Sequence, residues 1–241
     1  MSAEPDTVRA ASRTRGRPPG PPRDPAARRE ELLDAAERVV AADGAALTVA
    51  RVAAAAGYAR TAVYAVFPDL PALVDALAER HMEAVIAAAD TILAQPLPGR
   101  RLLRALVQLM CDFVDGNPNL HHLLMQRMQS DDPRPPATRP FFTRAADWAA
   151  SVFDALLRAV DADPAPARVW ATATVGAVLM SAEDWGRDPG RRRDEFVDGL
   201  TAFLWPALES AGAGRFTGPL IVAPSVTEAA RNVHTDTPPS P

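Results

Sequence analysis

His121-His122, Cys111 and Asp131-Asp132 are the side chains of this 241-residue chain best equipped for chemistry, and each falls short in its spacing. A metal site would need a further His or Cys at helical spacing. His121-His122 is followed instead by Met125 and Met128. Cys111 sits beside Met110 in an apolar stretch that suits packing better than thiolate chemistry. Asp131-Asp132 lie in the Pro-rich "SDDPRPPATRP" and read as solvated. No Ser-His-Asp order, Gly-rich phosphate loop or pair of carboxylates stands out. The expectation is therefore no catalytic residue, no metal, no cofactor and no enzyme. What remains is non-covalent recognition. Arg60, Thr61 and Tyr64 fall within five residues of the otherwise apolar "VAAAAGYARTAVYAVFPDL", and a run of arginines lies upstream.

All 26 basic residues are Arg, and the net charge is −4. The overall charge does not suggest a nucleic-acid binder, but its distribution does. Residues 1–68 carry ten Arg against eight acids, whereas residues 69–241 carry sixteen against twenty-two. Residues 9–29 hold seven Arg and one acid, Asp24. Positive charge gathered at one end suits an encounter with phosphate. No apolar run approaches the ~20 residues of a membrane span, and the N-terminus has no apolar signal core. With Cys111 the only cysteine, no intrachain disulfide is possible, so a reducing cytoplasm is the expected setting.

The elements that must position the polar residues are helices. Asp24-Pro25 pairs an N-cap with a first-turn Pro, and Leu32, Leu33, Ala36, Val39 and Val40 follow on one face. Asp43-Gly44 ends this helix. Thr48 caps a short second helix that Gly57 stops; a third runs from about 59 to 66. Asp69 caps a long fourth, with Leu70, Leu73, Leu77, His81, Ala84, Val85, Ala88 and Ile92 on one side. Further breakers imply helices over 101–116, 119–129, 141–160, 164–182 and 194–210, with "EDWGRDPGRRR" as a loop and Pro206 shortening or kinking the last. The sequence thus predicts an all-α fold: a disordered Arg/Pro-rich arm over 1–23, a three-helix domain over 24–68, a larger helical domain over 69–211 and a flexible tail over 212–241.

Two short helices joined by a tight turn make a DNA-reading helix-turn-helix. The motif needs a small residue where the helices cross, a turn residue that tolerates positive φ, and apolar anchors at set intervals. Counting Val49 as first, Val52 and Ala53 are fourth and fifth, Gly57 ninth, Val63 fifteenth and Val66 eighteenth.

Residues 28–73 resemble the N-terminal domain of TetR-type transcriptional regulators. The resemblance is carried by "LLDAAERVVAADG" and "LTVARVAAAAGYARTAVYAVFPDLPALVDAL", with Ala35-Ala36, Gly44, Thr48, Ala56-Gly57, Tyr64, Phe67 and Leu73 on the family pattern. It covers about a fifth of the chain. It implies that Tyr64 and Thr48 bond phosphates, that Arg60 and Thr61 reach base edges from the first turn of the recognition helix, and that Arg51 reaches the backbone. Arg60 could then read guanine through two hydrogen bonds. The family usually has Ser or Glu at the place of Ala59, often Thr at Ala62 and commonly Lys at Leu70. Losing such a phosphate contact lowers affinity and flattens its salt dependence. The arm is therefore expected to contribute: "RGRP", from Arg15 to Pro18, resembles the core of a minor-groove hook, and Arg15 and Arg17 would enter a narrow A·T groove.

The resemblance also implies a homodimeric regulator, most often a repressor, that leaves a palindromic double-stranded operator when a small molecule binds. Met110, Phe113, Met125, Met128, Trp148 and Trp170 are candidate ligand contacts, because Met and aromatic residues with few charges suit an adaptable apolar cavity. In the family the last two helices form the dimer interface; here they offer Thr172, Val175, Gly176, Val178, Leu179, Phe196, Leu200, Phe203 and Leu204. The alternative is a helical small-molecule-binding protein or small enzyme with a vestigial helix-turn-helix, motivated by Ala59, Ala62 and Leu70.

Overall fold

The computed structural model describes residues 24–44, 46–129, 140–187, 190 and 192–222. The arm with Arg15 and Arg17, the pair Asp131-Asp132 and the side chain of Met128 lie outside the described residues. The described elements are nine α-helices: α1 Pro25–Asp43, α2 Val49–Ala56, α3 Arg60–Tyr64, α4 Leu70–Leu93, α5 Gly99–Gly116, α6 Pro118–Gln129, α7 Pro140–Ala159, α8 Ala167–Arg187 and α9 Arg193–Ser210. A 3-10 turn, Ala213–Arg215, follows, and no strand occurs among the described residues.

Local chemistry sets the early boundaries. The Asp24 side chain accepts from the N–H of Ala26 at 3.1 Å, with Pro25 opening α1. Thr48 Oγ1 accepts from Arg51 N–H at 3.3 Å, and Asp69 Oδ1 from Ala72 N–H at 2.7 Å. Gly57 ends α2 at φ 71°, ψ 29°, in the left-handed region. Its N–H reaches the carbonyl of Ala54 at 3.2 Å, and Tyr58 N–H reaches Ala53 at 2.8 Å, the paired bonds of a Schellman stop. A Cβ on Gly57 would meet nothing within 4 Å, so any substitution penalty there is conformational. Gly57→Ala is expected to lower stability by about 1 kcal/mol in urea denaturation.

Leu32, Leu33, Ala35, Ala36, Val39 and Val40 of α1 pack with Val52, Ala53, Val63, Phe67, Leu73 and Leu77 in one core. The same core continues through Met82 of α4, Leu120, Leu124 and Met125 of α6, and Leu179 of α8. The helix-turn-helix thus has no separate interior. Polar links cross the same boundary. Arg80 of α4 reaches Asp34 at 2.6 Å, Glu37 at 3.4 Å and Glu30 at 3.7 Å on α1. Arg127 of α6 grips both Asp75 oxygens on α4, at 3.0 and 3.1 Å. Asn119 of α6 donates to the carbonyl of Ala41 at 3.2 Å.

Three expectations change. First, α4 buries Leu73, Val74, Ala76, Leu77 and Ala78 in its first half because it is packed from several sides there. In its second half the buried positions are Met82, Ala89 and Leu93, and Ala84 is exposed. Second, α8 continues through "EDWGR", where a loop was expected. Glu183 and Trp185 are buried there, Glu183 2.8 Å from His121 and Trp185 stacked on Phe196 at 5.4 Å. Tertiary partners hold a turn that the local sequence does not favour. Third, residues 212–222, assigned by composition to a tail, pack back with Ala213, Phe216 and Leu220 buried. Pro206 stands inside α9, which runs on to Ser210.

Candidate DNA-binding face and effector cavity

The short helix α3 puts its apolar and polar residues on opposite sides. Val63 is fully buried, and Phe67 just beyond the helix is 2% exposed. Arg60, Thr61 and Tyr64 point outward, Tyr64 with 52% of its surface free. The lean polar set expected from sequence is thus brought together on one exposed face. Thr48 and Arg51 flank it at the start of α2 and carry structural duties too. The Thr48 hydroxyl caps the helix, while Arg51 pairs with Asp43 at 2.8 Å and donates to the Ala46 carbonyl at 3.4 Å. Arg29 covers the ring of Phe67 at 4.9 Å, a cation–π contact on the same domain.

The larger domain holds a partly open apolar cavity of about 170 Å³. Its long walls come from Met82, Ile86, Ala89 and Leu93 of α4, Leu102, Leu106 and Met110 of α5, and Ala145, Trp148, Val152 and Leu156 of α7. Thr174, Val175, Val178 and Leu179 of α8 and Trp205 and Leu208 of α9 complete it. On α4 the lining runs from Met82 to Leu93, about 16 Å at 1.5 Å per residue, so the space is elongated. Thr174 supplies the lone lining hydroxyl among the described residues, and the Trp148 indole N–H is spent on Asp90 at 2.9 Å. No charged side chain among the described residues lines the space.

Of the six candidate ligand contacts, Met110 and Trp148 line this cavity. Phe113 lies instead between His81 and His121, with ring centroids at 6.2 and 6.1 Å. Met125 is 2% exposed within the core shared with the helix-turn-helix. Trp170 packs edge-on against Phe153. The sequence signal of Met and aromatic content missed most of the lining, which is aliphatic: Ile86, Leu102, Leu106, Val152 and Leu156. Their helical spacing was visible, but not that their faces converge on a void rather than on one another.

The expected interface residues also divide. Val175, Val178 and Leu179 face the cavity, and Leu200 is buried. Val169, Met180 and Phe203 are the large apolar residues left outward on α8 and α9, 70%, 53% and 74% exposed.

Burial dominates the titration of the inner groups. It pushes the Cys111 thiol up to about 11, so this thiol stays protonated at neutral pH. His81 is held below the ordinary 6.5 by burial, against the pull of Glu37 at 3.1 Å and with Arg80 lowering it further. His121 is likewise lowered by burial, against Glu183, with His122 and Arg187 adding to the lowering. Both histidines therefore take up a proton more readily in the unfolded chain. Stability is full above 6.5 and is lost as pH falls through that value towards the lowered folded-state pKa. The urea midpoint is expected to drop between about pH 7.5 and 5.5. A His81→Gln, His121→Gln double variant should show a flatter profile.

Residues 32–77 match the family model described as bacterial regulatory proteins, tetR family. The matched stretch runs from α1 into the first half of α4 and includes the helix-turn-helix, so this part of the chain is similar to the regulators of that family. It is 28% identical over 189 residues to the HTH-type transcriptional activator FasR of Mycolicibacterium smegmatis, covering 78% of this chain and 84% of that protein. Its fold is shared with FadR of Bacillus subtilis, solved in complex with stearoyl-CoA, at a TM-score of 0.57 and 15% identity over 77% of this chain and 98% of that one. Thermus thermophilus FadR, a repressor solved in complex with lauroyl-CoA, gives a TM-score of 0.59 and 19% identity over 82% and 98%. No helix among the described residues is long and apolar enough to cross a membrane.

Proposed function

We propose that this regulator acts as a homodimer on a palindromic operator and is released from it by a molecule with a long apolar chain. The observation that carries the reading is the continuity of cavity and DNA-binding core: Met82, Ala145 and Leu179 belong to both. A chain entering the cavity has to displace or press on side chains that also belong to the core in which α1 and α4 are packed. An effector shifts an equilibrium only by its differential affinity for the two states, and shared side chains supply that difference. The elongated, uncharged lining favours an alkyl or acyl chain over a compact polar molecule. A polar head, where the effector has one, stays outside the lined space. The acyl-CoA complexes of the two FadR regulators support this class of effector.

On the DNA side, Arg60 and Thr61 reach base edges, Tyr64, Thr48 and Arg51 contact phosphates, and Arg15 and Arg17 add minor-groove contacts from the arm. The outward Val169, Met180 and Phe203 support a dimer through α8 and α9. Two-fold symmetry then places the recognition helices about 34–36 Å apart on the operator. Selection from random-sequence DNA with the purified full chain tests the reading. An enriched palindrome is expected; no enrichment would favour an effector-binding protein with a vestigial helix-turn-helix. The activator named among the relatives favours a second sign of regulation on the same operator. A reporter carrying the selected site decides it: expression falls with a repressor and rises with an activator.

A further inference from the structure

At its outer end the cavity is bordered by the chain beyond α9, which packs on the ends of α4 and α5. After Ser210 the backbone turns at Gly212, φ 101°, and runs across the loop between α4 and α5. Gly218 N–H donates to the Leu97 carbonyl at 3.1 Å, Leu220 N–H to Leu93 at 2.9 Å, and Gly99 N–H to the Phe216 carbonyl at 3.2 Å. Two glycines permit this approach. A Cβ on Gly218 would stand 2.6 Å from the Gln95 carbonyl oxygen, and one on Gly99 would stand 2.8 Å from that of Ala213. The strap turns Ala213, Phe216 and Leu220 inward, 3%, 9% and 6% exposed, and all three line the cavity.

The opposite end of the space is bounded by Met82 and Leu179, which sit in the core shared with the DNA-binding domain. The two ends therefore differ in kind. The inner end belongs to a helical core, whereas the outer end is a 3-10 turn and a short irregular segment held to the α4–α5 loop by a few backbone hydrogen bonds. We propose that residues 212–222 are the end stop of the effector cavity, so that Phe216 and Leu220 set the longest apolar chain it accepts. This rests on the reading of the cavity as the effector site. A chain that reaches Phe216 gains no burial from further carbons unless the strap gives way. Up to that length, each buried methylene adds about fourfold in affinity.

The test uses the full chain and cis-parinaric acid, displaced by saturated fatty acids graded from octanoic to eicosanoic acid. For the unaltered protein, affinity should climb with chain length and then level or fall. In Phe216→Ala, which opens apolar space at the outer end, the optimum should move to longer acids by about two carbons. Gly218→Val should move it in the same direction, because it dislodges the strap without altering a lining side chain. An optimum unchanged in both variants overturns the end stop. Val152→Trp, which blocks the middle of the space, distinguishes failure of the end stop from failure of the effector site. If Val152→Trp weakens every acid while the strap variants leave the optimum fixed, the cavity reading stands and the end stop is wrong. If cis-parinaric acid does not bind, or Val152→Trp leaves every acid unaffected, the cavity reading itself fails and takes the end stop with it.

Discussion

Arg60→Ala is expected to weaken binding to the selected operator by about five- to 150-fold, the range that losing one two-bond contact to a guanine edge spans. The expectation follows from how little else α3 offers. The helix has five residues, of which Val63 is core and Ala62 partly covered, leaving Arg60, Thr61 and Tyr64. Arg60 is exposed at the first turn, where a helix lying in the major groove presents side chains to bases. Tyr64→Phe removes one hydroxyl and should cost less, lowering affinity across operator variants without changing their ranking. A base-reading Arg60 behaves otherwise: its removal should flatten the preference at one base pair of each half-site. Thermal stability should hardly change in either variant, because both side chains are exposed and surface substitutions rarely exceed about 0.5 kcal/mol. Fluorescence anisotropy on the operator and its single-base variants measures all of this. Unchanged affinity in both variants would remove α3 as the reading element.

Val152→Trp is expected to lower affinity for a long acyl chain by about 100-fold while leaving operator binding intact. Val152 stands midway along the α7 lining. An indole there occupies space that several methylenes of a chain would otherwise use, and burial of each contributes about 0.8 kcal/mol. Three to four lost methylenes account for the factor of about 100. The protein itself should tolerate the change, since the cavity already provides the volume and overpacking strain is relieved into it. A regulator altered in this way should remain on its operator at effector concentrations that release the unaltered protein. Isothermal titration with stearoyl-CoA, followed by anisotropy in its presence, separates a loss of effector binding from a loss of response.

The DNA-binding half was legible in the sequence because its determinants are local. Asp24, Thr48 and Asp69 cap the residues two or three positions ahead, and Gly57 bonds backward within one turn, so each boundary is written in a handful of adjacent residues. The anchors Val52, Ala53 and Val63 sit at spacings fixed by helical geometry. Where distant partners decide, the reading was incomplete. The last turn of α8 depends on Glu183 meeting His121 and on Trp185 stacking with Phe196. Which positions of the second half of α4 are buried, Met82, Ala89 and Leu93, depends on the helices packed against it, α5 and α7 among them. The strap depends on Phe216, between Arg215 and Thr217, and on Leu220, which follows Gly218-Pro219, finding backbone partners more than a hundred residues earlier. The cavity is the hardest case, because a wall and a packed interface are lined by the same residue types. Composition alone therefore pointed to Phe113, Met125 and Trp170, which pack against neighbours, rather than to Ile86, Leu106 and Leu156.

The most direct test of the account is operator affinity measured with and without a chain in the cavity. Labelled operator is titrated with the full chain by anisotropy, alone and with saturating lauroyl-CoA or stearoyl-CoA. The Val152→Trp variant is run in parallel. The account expects the occupied protein to bind the operator about five- to 150-fold more weakly, as a coupling of about 1–3 kcal/mol gives, with the shift absent in the variant. Operator affinity that stays the same while the acyl-CoA is shown to be bound would contradict it.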